Sequence, residues 1–165
     1  MSTLAFLSPS SCEPGTLASP LARALDGAER EAVRDLSFEG KVELRGDLAL
    51  VRPGAEEELV RLSPRRGLLL TAGDPAAAVE RLRAAGVLAY DVSGALAGLE
   101  IEGEQLLRRL TDLDLERLPA AGPFAQVTAV VLRDEAERFR VYVPQELGHY
   151  VAEAVLDAMA GLGNE

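Results

Sequence analysis

Apolar and charged residues alternate in short runs from about residue 36 onward, and most of these runs predict β-strands. Val42 and Leu44 alternate with charged residues before Gly46, which is typical of a half-buried strand. Runs of the same kind predict five further strands, at 67–71, 87–92, 96–101, 126–132 and 138–143. Residues 53–62 begin with proline and are acidic, which favours a single helical turn.

Three segments carry the signals of helices. Asp74 followed by Pro75 is a typical N-cap with proline at the first helical position, and Gly86 should end this helix. A shorter helix should follow the strand at 96–101. The last helix should begin at Pro144 and bury one stripe of side chains. The predicted stripe comprises Leu147, Tyr150, Val151, Ala154, Val155, Ala158 and Met159.

Two segments of the chain, 35–46 and 91–103, resemble each other. Each begins with an Asp-x-Ser triplet and continues into an alternating strand that ends at a glycine, and a gap of one residue aligns them. Each half of the chain also contains a strand followed by an amphipathic helix. The sequence therefore predicts an α+β fold of two related βαβ-type, ferredoxin-like halves. These halves should form a mainly antiparallel sheet with the helices packed on one side.

The start of the chain differs in composition from the rest. Residues 1–30 are rich in Ser, Pro, Gly and Ala, which predicts a flexible tail that orders only against a partner. Residues 31–165 should then form one αβ domain, with its halves at about 35–90 and 91–162. The first residues make a poor signal peptide, and no run approaches the roughly 18 apolar residues of a membrane span. We therefore expect a cytoplasmic protein that has no membrane segment.

Charge and cysteine content narrow the possible functions. The net charge of −10 argues against a nucleic-acid partner, because phosphate recognition needs a positive face. The pairs Arg65-Arg66 and Arg108-Arg109 are interpreted as solvated edges or salt bridges. Cys12 is the only cysteine, so neither an internal disulfide nor a cysteine-based zinc site can form.

Few side chains are suited to catalysis. His149, the only histidine, is interpreted as a packing residue on the flank of the last helix, and Cys12 has no histidine or basic residue beside it. Asp112 and Asp114 could cap, chelate or act as an acid–base pair, although turn and capping chemistry is the expected role. A phosphate-binding loop and a nucleophile elbow are both absent from the sequence. The sequence thus predicts no catalytic residue and no metal site.

An ordered series of short motifs over about residues 19–160 carries a family resemblance. The series contains SPLA at 19–22, LSFEGKVELRGD at 36–47, LSP at 62–64, DVS at 91–93, LEIEG at 99–103, LDL at 113–115, LP at 118–119 and the ending at 139–150. It resembles the gamma subunits of bacterial heterotetrameric sarcosine oxidases, although the tryptophan usual after the third motif is replaced in the region of Arg65 and Arg66.

This resemblance implies an accessory subunit that is not an enzyme by itself. Such a subunit packs against the larger subunits of a sarcosine-oxidising complex by protein–protein contacts. Flavin, nicotinamide dinucleotide and folate are then expected only in those partner subunits, and no cofactor in this chain.

The same family is similar to the folate-binding domain of glycine-cleavage T-proteins, the aminomethyltransferases. There, an Asn-Asp pair before a Leu-Pro turn supplies an aspartate beside the folate. Asp114 falls at that position, but Leu113 replaces the asparagine and the acidic segment that follows is missing. The resemblance implies a truncated folate-domain fold in which Asp114 is a weak candidate for a folate site. Two other hypotheses stay open: a free-standing folate-binding or aminomethyltransferase-like protein of one-carbon metabolism, and a self-associating domain.

Overall fold

Nine strands and three α-helices make up residues 18–26 and 32–162, the part of the chain that the computed structural model describes. The strands are β1 (Val33–Asp35), β2 (Gly40–Arg45), β3 (Glu57–Ser63), β4 (Arg66–Thr71), β5 (Leu88–Asp91), β6 (Leu96–Glu102), β7 (Ala120–Phe124), β8 (Val127–Arg133) and β9 (Arg138–Pro144). The helices are α1 (Pro75–Ala84), α2 (Glu104–Leu110) and α3 (Gly148–Leu162).

The strands form two antiparallel sheets. The larger sheet has the order β1-β6-β9-β8-β7, and the smaller has the order β3-β4-β2-β5. The predicted α+β class with mainly antiparallel pairing is confirmed. In the smaller sheet, β4 and β5 flank β2 and α1 crosses between them, which is the expected split βαβ arrangement.

The structure divides the strands between two stacked sheets, where the sequence predicted a single sheet. The uniformly apolar strand β4 shows why. Leu69 packs in the core beneath α1, whereas Leu68 and Leu70 pack in a second core between the sheets. Because successive side chains of a strand point to opposite faces, β4 is buried on both.

The core consists of three layers, one against each set of helices and one between the sheets. Val79 and Leu82 of α1 cover the outer face of the smaller sheet. Val151 and Val155 of α3, together with α2, cover the outer face of the larger sheet. Each sheet therefore has its helices on one side, as predicted, and the two bare faces pack against each other.

The sequence repeat corresponds to a repeated turn. In each Asp-x-Ser triplet the serine N–H donates to the aspartate carboxylate, at 2.8 Å for Ser37 and 2.9 Å for Ser93. The two turns also exchange hydrogen bonds with each other's strands. The N–H of Lys41 donates to the Ser93 hydroxyl at 2.9 Å, and the N–H of Gly98 donates to the Ser37 hydroxyl at 3.3 Å. The turns therefore link the two sheets to each other.

Several local predictions can be compared with the structure. The α1 start is confirmed, because Asp74 Oδ1 accepts the N–H of Ala76 at 2.9 Å. The helical turn predicted at 53–62 is wrong, since β3 begins at Glu57. The predicted last helix is present, but it begins at Gly148 and not at Pro144, because a 3-10 turn, Gln145–Leu147, comes first. Tyr150 is 45% exposed and does not belong to its buried stripe.

The predicted N-terminal tail is described only in part. Residues 18–26 form a turn whose Leu21 is fully buried against the larger sheet's core. Residues 1–17 and 27–31 lie outside the described residues. The predicted domain boundaries stay a prediction.

Candidate functional site

Asp114 caps a short 3-10 turn, Leu115–Arg117. Its Oδ1 accepts the N–H of Glu116 at 3.2 Å, and its Oδ2 lies 3.2 Å from Nε of Arg117. The Asp114 side chain is 59% exposed. These are the contacts of a turn cap, and the carboxylate does not line the groove between the sheets described below.

Of the other sequence candidates, His149 and Asp112 lie within the described residues. His149 Nε2 is 3.3 Å from Glu153 Oε1, one turn along α3, and 41% of the His149 side chain is exposed. Asp112 is exposed beside α2. Cys12 lies outside the described residues. Among the described residues, His149 pairs with Glu153 and not with Asp112 or Asp114.

One arginine of each basic pair makes a surface ion pair, as the sequence interpretation expected. Arg66 Nε lies 3.1 Å from a Glu43 oxygen, and Arg108 Nη2 lies 2.7 Å from Glu104 Oε1 in the same helix. Exposed pairs of this kind contribute little to stability.

A polar cluster that the sequence did not reveal lies where the two sheets meet. Tyr142 and Arg140 project from the same face of β9 toward the smaller sheet. The Tyr142 hydroxyl donates to a carboxylate oxygen of Glu39. Arg140 Nη2 donates to Asp134 and to Glu58 of β3, each at 2.6 Å. The cluster therefore joins one strand of each sheet and the β1–β2 loop.

The electrostatics of this cluster suit structure better than proton transfer. Burial, followed by the hydrogen bond to Glu39, raises the pKa of Tyr142 well above its usual range. Burial alone would lower the pKa of Arg140, but its hydrogen bonds to Asp134 and Glu58 raise that pKa above its ordinary value. Acid–base catalysis near neutral pH needs groups that titrate there, and these two do not.

Lys41, the only lysine of the chain, is fully buried. Its Nζ donates to the main-chain oxygens of Ser37 at 2.9 Å and Glu39 at 2.6 Å. Burial lowers the pKa of Lys41, although the nearby carboxylates of Glu39, Asp35 and Asp91 raise it in part. The ammonium thus holds the loop that presents Glu39 to Tyr142.

An open groove of about 350 Å³ runs between the two sheets. Its volume is near the lower end of the roughly 300–1,000 Å³ of small-molecule sites. The lining is mostly apolar and includes Leu62, Leu68, Val130 and Tyr142. Its charged lining residues, Glu43 and Arg66, are paired with each other at 3.1 Å. The groove therefore offers an apolar wall with one polar end.

Neither a cluster of metal ligands nor a membrane-spanning helix occurs in the described part of the chain. In 18–26 and 32–162, no group of three or more His, Cys, Asp or Glu side chains is placed to hold a metal ion. Within the same residues, no helix has the length and apolar character to cross a membrane.

The comparisons with known proteins give a structural match. No family model matches the chain, and no curated protein matches it. A chain of the heterotetrameric sarcosine oxidase from Corynebacterium sp. U-96, solved in complex with pyrrole 2-carboxylate, superposes with a TM-score of 0.76 at 18% identity. The match covers 88% of this chain and 95% of that one. This chain has the fold of a sarcosine oxidase subunit.

The fold that the family resemblance implied is thereby confirmed. A second solved structure, the ligand-free regulatory subunit of aspartate kinase from Thermus thermophilus, gives a TM-score of 0.49 at 16% identity. That match covers 76% of this chain and 96% of the other.

Proposed function

We propose that this chain is a non-catalytic accessory subunit of a multi-subunit flavoenzyme of the sarcosine oxidase type. The observation that carries the proposal is the fold match to a chain of such an enzyme, at a TM-score of 0.76 and over 88% and 95% of the two chains. The ordered motifs between residues 19 and 160 point to the same family independently of the fold.

The chemistry of the described residues supports an accessory role. Lys41 and Tyr142 are buried and the Arg140 side chain is 11% exposed, and all three make hydrogen bonds that connect parts of this chain. Asp114, the position where a folate-binding relative would place a working aspartate, is an exposed turn cap paired with Arg117. In this proposal flavin, nicotinamide dinucleotide and folate bind to the larger partner subunits, and this chain contributes assembly and stability.

Co-production with the other subunits tests this proposal. The chain should be expressed with and without the flavin- and nicotinamide-binding subunits encoded in the same genome, and each preparation separated by gel filtration. We expect the chain to elute with the flavin absorbance in a fixed ratio. Omitting the chain should lower the yield or thermal stability of the flavoprotein that supports sarcosine-dependent oxygen uptake. Elution of the chain on its own, with the flavoprotein unaffected by its omission, would refute the proposal.

A further inference from the structure

One edge strand carries exposed apolar side chains. β5 ends the smaller sheet and pairs only with β2. Leu88 and Tyr90 on this strand are 57% and 45% exposed, and they are two of the five large hydrophobic residues that the described chain exposes. Edge strands are usually shielded by charge, proline or shortness. β7 contains Pro123, β3 contains exposed charges, and β1 and β5 are short, at three and four residues. Of these four edge strands, β5 is the one that exposes large hydrophobic side chains.

The strand register places Leu88 and Tyr90 in two rows of side chains that cross the sheet to the groove. Leu88 lies opposite Arg45, which lies opposite Arg66 on β4. In the same way, Tyr90 lies opposite Glu43, which lies opposite Leu68. Cross-strand neighbours share one face of a sheet. We name these six residues, Leu88, Tyr90, Arg45, Glu43, Arg66 and Leu68, the β5 strip.

The β5 strip and the groove form one continuous surface. Glu43, Arg66 and Leu68 belong to both. The surface begins at the uncovered edge of the smaller sheet and ends between the sheets, against Val130 and Tyr142. Two strand spacings, about 10 Å, separate β5 from β4. A single segment of another protein could therefore contact both the edge strand and the groove with its side chains.

The charge of the β5 strip is opposite to that of the whole chain. The chain has a net charge of −10. In the strip, however, Arg45 and Arg66 share a single carboxylate, that of Glu43, and both arginine side chains are 59% exposed. Arg65, the neighbour of Arg66 in the hairpin turn, is exposed as well. Three arginines against one glutamate favour an acidic partner surface.

The face of β5, more than its edge, is available for contact. Arg83 of α1 donates from Nε to the main-chain oxygen of Ala89 at 2.9 Å, so one acceptor of this strand is already used. The Arg83 guanidinium also lies 5.7 Å from the centre of the Tyr90 ring. This contact orients Tyr90 and leaves 45% of it exposed. Simple addition of a further strand is thus less favoured than side-chain contact with the β5 strip.

We propose that the β5 strip and the adjoining groove bind a segment of a partner subunit in which apolar side chains alternate with acidic ones. The apolar side chains contact Leu88, Tyr90 and the groove, and the acidic ones pair with Arg45 and Arg66. Aromatic and arginine side chains are the residue types that most often dominate the affinity of protein interfaces. This inference rests on the proposed function and specifies which surface of the chain performs it.

Charge-introducing variants test the docking surface in the co-produced complex. Tyr90→Glu and Arg66→Glu would each place a negative charge against the acidic segment. Tyr150→Glu is the matched control, because Tyr150 is also 45% exposed but lies on α3. Arg34→Glu is the control for arginine, since Arg34 is 66% exposed and pairs with one glutamate on the larger sheet. Circular dichroism melting should verify that each variant folds.

We expect each β5-strip variant to weaken binding to the flavin-containing subunits by about tenfold or more, as for loss of an interface hot spot, with both controls unchanged. If the unaltered chain assembles and both strip variants do so equally well, this inference is wrong and the proposed function stands. If the unaltered chain does not assemble, both fall. Self-association of the purified chain that Tyr90→Glu abolishes would assign the surface to a second copy and overturn the partner proposal.

Discussion

Replacing Tyr142 with phenylalanine isolates the hydrogen bond at the centre of the polar cluster. The Tyr142 side chain is 1% exposed, and its hydroxyl donates to Glu39 of the β1–β2 loop. Phenylalanine keeps the ring against Leu68 and Leu70 in the layer between the sheets. The substitution therefore removes one polar contact and changes the packing little.

The cost at neutral pH follows from the surroundings of Glu39. A hydrogen bond to a charged group contributes about 1.5–3 kcal/mol to stability. Glu39 keeps a second partner, because Arg140 Nη1 lies 3.9 Å from its carboxylate, and 25% of the Glu39 side chain is exposed. Glu39 is thus not left buried without a partner. We expect Tyr142→Phe to lower the free energy of unfolding by about 1.5 kcal/mol, the lower end of that range.

The same substitution should reverse its effect at high pH. Burial and the hydrogen bond to Glu39 raise the pKa of Tyr142 in the folded protein. Above about pH 10 the unfolded chain ionises this phenol while the folded chain keeps its proton. The free energy of unfolding of the unaltered protein then falls by about 1.4 kcal/mol for each pH unit because of this one group. Phenylalanine has no such loss, so the two stability curves should cross near pH 11 and invert above it.

Urea unfolding followed by far-ultraviolet circular dichroism, at about pH 7, 9, 10 and 11.5, measures both quantities. The difference between the free energies of unfolding of the two proteins cancels the effect of every other titrating group, including Lys41. Tyr90→Phe is the control, since Tyr90 is 45% exposed and loss of its hydroxyl should not change the stability at neutral pH. If the stability curves of Tyr142→Phe and the unaltered protein stay parallel up to pH 11.5, the claim that folded Tyr142 keeps its proton is wrong.

Three further predictions concern the core and the absence of cofactor chemistry. Val151→Asp should abolish cooperative melting or lower the melting temperature severely, because Val151 lies on the inner face of α3 and is 0% exposed. Tyr150→Asp on the same helix should not have this effect, and a near-normal melting curve for Val151→Asp would contradict the prediction. Asp114→Ala should change stability by less than about 1 kcal/mol, and titration calorimetry should show no tetrahydrofolate binding at sub-millimolar concentration; micromolar binding abolished by this substitution would support the folate-binding alternative. The purified chain should be colourless, and a flavin spectrum that survives gel filtration would contradict this.

Local signals in the sequence predicted much of the fold, because they have local physical causes. Asp74 and Pro75 determine the start of α1 within a single turn, and the alternation around Val42 predicts which face of β2 packs against α1. The strands β3 and β7 were missed because each contains residues that a sheet edge tolerates but that obscure the pattern of a strand. β3 opens with consecutive glutamates, and β7 contains Pro123, a residue that is tolerated at an edge.

The polar cluster could not be predicted, because its members meet only through the tertiary fold. Glu39 and Tyr142 are 103 residues apart, and Arg140 and Glu58 are 82 apart. In the sequence, Lys41 has the pattern of an exposed strand residue next to Val42. Its burial follows from the second sheet, which covers the face that a single-sheet fold would leave in water. The one available signal was that Lys41 is the only lysine among 17 basic residues.

The repeated Asp-x-Ser turns explain why the two sheets should form one cooperative unit. All four strands of the smaller sheet lie between residues 40 and 91, but the larger sheet combines strands from 96–144 with β1, from residues 33–35. Arg34 of β1 pairs with Glu100 of β6 across 66 residues of chain. β1 can therefore join the larger sheet only when the intervening residues, which form the smaller sheet, bring β6 back beside it. Each turn bonds the first strand of the other half, Ser37 to Gly98 and Ser93 to Lys41. Neither sheet can then separate without breaking both exchanges. A rigid connection of this kind would keep the β5 strip and the far wall of the groove at a fixed spacing, which a partner segment bridging them requires.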